Sequence, residues 1–388
     1  MSSDPYPGAA AVRAAYVHIP FCRRRCPYCD FAVVDMTREE PAIDRYVDAL
    51  LDEISMEEPW GPLEAVNFGG GTPSALSAVQ LGRILGRLTA RFGVAPGAEI
   101  SIEANPEDWD EAHAAAVREL GFNRVSLGVQ SFDAAVLAYL GRNHAPHDGI
   151  AAVAGSRHAG FEVTNLDLIF GAPGESFRSW EETVSVALDL DVEHLSAYAL
   201  TVERGTALSR AIDSGAPAPN DDDQADKYEH LVETVPSRLE HYEVSNWADR
   251  EWQCRYNMTT WAQGEYVAFG LGAHSYRNGI RRRNVRRLDA YLDRVEAGLR
   301  PEAGAERLTG WEKEKERVFL GIRRRKGVAA GVVGEVFAAS TPGRRFVDAG
   351  VVSLAAGRLV IANPLLTDAV ARELLSLSPD ESRPGSSH

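Results

Sequence analysis

Short apolar runs alternate with amphipathic stretches from residue 14 to about residue 200. Six runs read as strands: AAYVHI (14–19), LEAVNF (63–68), EISIEA (99–104), RVSLGV (124–129), EVTNLDLIF (162–170) and EHLSAYAL (193–200). Most are rich in Val, Ile, Leu, Tyr or Phe and too short to stand as helices. Between them apolar side chains recur at helical spacing, as in Ile43, Tyr46, Val47, Leu50, Leu51 and Ile54 of a helix predicted over 40–57. Further helices are predicted at about 77–92, 110–120, 147–159 and 177–189, the second of these punctuated by Pro106, Asp110 and Gly121. Six successive βα units predict an α/β fold with a parallel sheet and right-handed crossovers. No GxGxxG follows the first strand, which favours a curved, partial (β/α)6 TIM-like barrel over a doubly wound sheet. The expected barrel covers 14–215, after a flexible N-terminus at 1–13.

Each of the six strands runs out into polar or glycine-rich sequence. The first leads into FCRRRCPYCDF (21–31) and the second into GGGTPS (69–74). The later ones reach Glu103 and Asn105, Gln130, Asp167, and Tyr198 with Thr201. In a parallel barrel these ends converge on one face, so they predict one composite site.

Beyond about residue 205 the alternation stops. A linker and mixed α/β segment is expected over 216–300, opening with APAPNDDDQADKYEHL, read as a linker and an Asp-capped helix. Helical patterns resume near WEKEKERVFLGIR and end in GVVSLAAGRLVIAN (350–363), two β runs around a turn. Residues 301–376 are therefore expected to form a mostly helical, winged-helix-like cap or docking domain. A disordered tail is expected over 377–388.

Composition narrows the function classes. The chain has 388 residues, 45% of them hydrophobic, and a formal net charge of −15. That charge argues against affinity built on nucleic-acid phosphates. Two basic runs, RRRNVRR (281–287) and RRRK (323–326), read as solvated or ion-paired arginine faces before they read as docking patches. No apolar run approaches the ~20 residues that cross a bilayer, and the N-terminus lacks a secretory pattern. Four cysteines, three of them clustered, make no disulfide framework, and a cytoplasmic location is expected.

Cys22, Cys26 and Cys29 form C-x3-C-x2-C. A structural zinc site needs a fourth ligand, which His18 or Cys254 could supply. An iron–sulfur cubane held by three thiolates leaves one iron open to a chelating ligand. Spacing alone leaves both readings open. Glycines in GGGTP allow close backbone approach to a small polar ligand, or simply a tight βα turn.

In its position after the first strand, CRRRCPYC resembles the signature of the radical S-adenosylmethionine (SAM) superfamily. That resemblance implies a 4Fe-4S cluster on Cys22, Cys26 and Cys29, with SAM on the open iron. It also implies SAM contacts from Tyr16, Tyr28, Gly70, Gly71, Thr72, Glu103, Gln130, Arg142 and Asp167. YVHIPFCRRRCPYCDF, NFGGGTPSAL, IEANPE, LGRNH, NLDLIFGAPGES, HYEVSNWA and GLGAHSY together resemble the oxygen-independent coproporphyrinogen oxidase family, and within it the HemW-type haem chaperones. The oxidases resemble one another in a longer segment before the first strand and in a fourth cysteine where this chain has Phe31. The chaperone type is therefore expected, with haem as cargo and a haem-acceptor protein as partner. The alternative is a HemN-like radical SAM enzyme, a methylase, a cyclopropanase or the oxidase itself, which would need an electron donor such as flavodoxin or ferredoxin. HemW-type proteins also resemble one another in an HNxxYW stretch associated with haem. Here it reads YNMTTW (256–261): Asn257 and Trp261 are kept, Tyr256 replaces the histidine, and Thr260 replaces the tyrosine. The haem candidates are Tyr256, Asn257, Trp261 and Cys254, with His144 and His274 as other histidines.

Overall fold

The computed structural model describes residues 12–36 and 42–379. The flexible N-terminus expected at 1–13 and the tail expected at 377–388 lie almost entirely outside the described residues. Six strands, β1 (Ala14–Ile19), β2 (Leu63–Gly70), β3 (Val94–Ala104), β4 (Arg124–Gln130), β5 (Val163–Phe170) and β6 (His194–Ala199), lie side by side in chain order. All neighbouring pairs among them are parallel. β1 is buried at five of its six positions, as expected of a parallel strand covered on both faces.

The sheet extends beyond these six. On the far side of β6 come β8 (Asn246–Ala248) and then β7 (Glu240–Glu243), both antiparallel to their neighbours. On the far side of β1, β9 (Tyr266–Phe269) adds a seventh parallel strand. β10 (His274–Arg277), β11 (Ile280–Asn284) and β12 (Glu302–Arg307) continue from it antiparallel. The two ends of this sheet, β12 and β7, are not paired with each other, so the barrel is open.

Most helices fall where the periodicity puts them, including Ile43–Met56 and Phe177–Asp189. The helix Ala134–Tyr139 has no counterpart in the sequence pattern; its six residues are too few to show a period, and Asp133 caps it by accepting from the Ala135 and Val136 amides. The helix Asp221–Thr234 is capped by Asn220 and not by an aspartate; Asp221, Asp222 and Asp223 fill its first turn instead, where they complement the helix dipole.

A separate apolar cluster, including Val318, Ile322, Phe337, Leu359 and Leu374, organises the C-terminal part. Its helices Gly310–Gly321, Gly331–Ala339 and Thr341–Asp348 pack with a three-stranded sheet of Val328–Ala329, Val352–Ala355 and Arg358–Ile361. It is tied to the main sheet where the Val244 amide donates to Arg323 O (3.0 Å) and the Arg325 amide to Tyr242 O (3.0 Å).

GLGAHSY is a buttress under β1. The Glu53 carboxylate accepts from the Gly270 amide (2.7 Å), the Tyr291 hydroxyl (2.6 Å) and Asn284 Nδ2 (2.6 Å). Burial pushes the Glu53 carboxyl up to about 7 in spite of these donors. Beside it the Tyr46 hydroxyl donates to His18 O (2.7 Å) and accepts from the Leu271 amide (3.0 Å). Glu53→Ala leaves the buried Gly270 N–H and Tyr291 hydroxyl without their acceptor, while Asn284 Nδ2 keeps Gly270 O (2.9 Å), so denaturant titration should show a loss of about 2–3 kcal/mol.

Candidate active site: a cavity at the strand ends

The ends of β1–β6 open into one cavity of about 540 Å³. Cys22, Cys26 and Cys29, all free thiols, line it together with Tyr28, Gly70, Gly71, Thr72, Glu103, Gln130, Arg142 and Asp167. Tyr16 is not in this lining: its hydroxyl donates to His18 Nδ1 (3.1 Å). The glycines are required by close approach. A Cβ on Gly69 would meet the Glu103 carboxylate at 2.5 Å, and one on Gly71 would meet the Pro20 backbone at 2.6 Å. The Gly70 amide donates to Glu103 (3.2 Å), so the triglycine strand end and this carboxylate are locked together.

Two side chains donate toward the cysteine sulfurs. Thr72 Oγ1 lies 3.6 Å from Cys22 Sγ, and Arg142 Nη1 lies 3.6 Å from Cys26 Sγ. Arg142 Nη2 also donates to Asn105 Oδ1 (2.5 Å) and Gly128 O (2.8 Å), and Asn105 Nδ2 donates to Thr72 Oγ1 (3.1 Å). Arg142 Nε is left buried without a partner among the described residues. Burial pushes the Cys22 thiol up to about 12 and raises Cys29 as well, so positive charge must be near before these become thiolates.

The lining also carries two buried carboxyl groups, Glu103 and Asp167. Burial, and then the neighbouring Asp167, push the Glu103 carboxyl up to about 7. Burial raises Asp167 too, although Ser126 Oγ (2.7 Å) and Asn165 Nδ2 (2.9 Å) donate to it. Two carboxylates facing one cavity favour a cationic ligand, while the orphaned N–H of Arg142 favours a carboxylate on that same ligand.

Ser126, Asn165, Ser196 and His194 also line this cavity and were missed in the sequence. Asn165 Nδ2 donates to Ser126 Oγ (2.6 Å), Ser196 Oγ donates to Asn165 Oδ1 (3.2 Å), and His194 Nδ1 meets the same oxygen at 2.5 Å. The available signal was a polar residue inside an otherwise apolar buried strand, as in VTNLDLIF.

The three thiols fit an iron–sulfur cluster better than zinc. His18 has both ring nitrogens engaged, with Tyr16 and with Ala32 O (2.8 Å). Cys254 points to Glu99 Oε1 (3.6 Å), and burial pushes its thiol up to about 12. Neither is free to act as a fourth ligand. Among the described residues no three His, Cys, Asp or Glu side chains close on a single-ion position.

Residues 16–187 match the family model described as the radical SAM superfamily. Over 385 residues the chain is 38% identical to the heme chaperone HemW of Mycobacterium tuberculosis (strain CDC 1551 / Oshkosh), covering 96% of each. The chain belongs to the HemW heme chaperone family. The HemW of Bacillus subtilis (strain 168) is 33% identical over 338 residues, 86% of this chain and 89% of that protein. In fold the chain is similar to coproporphyrinogen III oxidase (HemN) from Escherichia coli, with a TM-score of 0.80, 22% identity, and coverage of 95% and 92%. A 4Fe-4S cluster and SAM are what radical SAM membership implies for this HemW-family chain, and the cavity lining suits both.

The stretch that replaces HNxxYW forms the helix Arg255–Trp261. Tyr256 stacks on Tyr16 (centroids 5.9 Å apart, planes at 22°) and meets Tyr266 edge-on (5.8 Å). Trp261 is covered by the Arg323 guanidinium, 4.8 Å from its ring. Asn257 and Cys254 line the cavity; Tyr256 and Trp261 do not. His144 is buried, with Nε2 on Val129 O (3.0 Å) and Nδ1 near Glu107 (3.3 Å), whereas His274 sits exposed on β10. The basic run 281–287 is largely paired, through Arg281 with Glu306 and Glu316, Arg282 with Glu302, and Arg286 with Asp30.

Proposed function

We propose that this chain is a haem chaperone that carries a 4Fe-4S cluster with exchangeable SAM and passes haem to an acceptor protein. The observation that carries the reading is the shared cavity: three free thiols and two buried carboxylates in one lining. The end-to-end similarity to relatives named heme chaperones supports the cargo. Cys22, Cys26 and Cys29 would hold the cluster, with Thr72 and Arg142 donating to two of the sulfurs. Glu103 and Asp167 would meet the positive groups of SAM, and the free Arg142 N–H its carboxylate. When bound, the cluster supplies an iron open to SAM and a source of an electron. The acceptor would be a haem-requiring apoprotein of the same compartment. Among the described residues no helix is long and apolar enough to cross a membrane, and we place the chaperone in the cytosol.

Anaerobic reconstitution with iron and sulfide, followed by haem and an apo b-type cytochrome, tests this reading. The expected result is a Soret band on this protein that moves to the cytochrome on mixing. Absence of retained haem, with substrate-dependent 5′-deoxyadenosine instead, would favour the HemN-like enzyme.

A further inference from the structure

We infer that haem docks across the mouth of the cavity, on the rim formed by the cysteine loop, and not on the 254–261 helix. This site rests on the haem-chaperone reading above. Haem is a flat apolar ring with two carboxylates along one edge, so its site needs an exposed apolar surface beside free positive charge.

The rim offers both. Phe31 lines the cavity yet is 64% exposed. The backbone on either side of it is fixed, by Arg286 Nη2 donating to Asp30 O (2.5 Å) and by His18 Nε2 at Ala32 O (2.8 Å). A large apolar side chain held out over an opening is an interaction surface when the groups beside it match a ligand. Arg24 lines the same cavity, is exposed, and has no hydrogen-bond or ion-pair partner among the described residues. Arg25 spends Nε and Nη2 on Cys29 O (3.3 and 3.0 Å), which keeps a second guanidinium at the rim. On a chain with a net charge of −15 a dianionic ligand is repelled in general. Local arginines are therefore what a haem carboxylate edge requires.

The competing location is filled. Tyr256 lies between two other tyrosine rings, Trp261 lies under Arg323, and the Cys254 thiol is turned to Glu99. A macrocycle seated there would have to undo these contacts.

The test is a haem titration of the full-length, cluster-loaded protein, followed at the Soret band with iron and sulfide measured in parallel. Phe31→Asp removes the ring and sets a negative charge against the carboxylates, and should weaken binding about tenfold or more. Arg24→Glu should weaken it severalfold. Tyr256→Phe, which keeps the stack and deletes only the hydroxyl, should bind like the wild type. If Phe31→Asp loses the cluster, Phe31→Ala and Arg24→Glu decide the matter. Wild-type affinity in the rim variants, or loss of the Soret band in Tyr256→Phe alone, overturns the site. A wild-type protein that takes up no haem overturns the chaperone reading itself.

Discussion

Replacing any one of Cys22, Cys26 and Cys29 with alanine should abolish the iron–sulfur chromophore of the reconstituted protein, whereas Cys254→Ala should retain it. All four thiols line the same cavity, so the contrast tests the geometry and not mere burial. The clustered three sit on the loop after β1, two of them with side-chain donors on their sulfurs. Cys254 is committed to Glu99 near the opposite ends of the strands. Three ligands leave one iron of a cubane without a protein donor, and removing a second exposes the cluster to loss. Iron and sulfide analysis, with about four irons expected per wild-type chain, reads the outcome. Loss of iron in Cys254→Ala would mean a four-thiolate site and no open iron.

Glu103→Gln should weaken SAM binding by about tenfold to a hundredfold, the range expected when a charged hydrogen-bond partner is lost. Equilibrium binding of SAM to the cluster-loaded protein measures it. The same variant carries a stability signature. Because the folded-state pKa of Glu103 is raised to about 7, the stability tied to its protonated form is fully present below about 4.5 and is lost as pH rises through 7. Without ligand, Glu103→Gln should therefore melt at a higher temperature than the wild type at pH 8, with the gap closing toward pH 4.5. Glu53 titrates in the same window but is common to both proteins, so it cancels in the comparison. A gap that widened on acidification would show that Glu103 is ionised in the empty cavity.

The six central strands were legible because parallel strands buried on both faces read as short runs rich in apolar residues, bounded by turn signals. β9 was not: Tyr266–Phe269 has four residues, and only its pairing with β1 gives it an identity. β10 and β11 are polar antiparallel strands whose arginines face outward or into ion pairs, so no alternation marked them. Within the cavity, residues at strand ends could be named from position and residue type, as with Glu103 and Gln130. Ser126, Asn165 and His194 could not, since which side of a buried strand faces the cavity depends on register. For Tyr256 the sequence showed a replaced histidine; that its ring is packed against Tyr16 is a tertiary fact.

That stack reaches as far as the cysteine loop. Tyr256 leans on Tyr16, whose hydroxyl reaches His18, whose other nitrogen reaches the carbonyl of Ala32 just past the third cysteine. Burial holds the His18 pKa down to about 4, so the ring stays neutral, with one nitrogen to donate and one to accept. Such a chain ties the packing of residue 256 to the loop that carries the cysteines, so a change of ring size at 256 is felt at the far end of the relay.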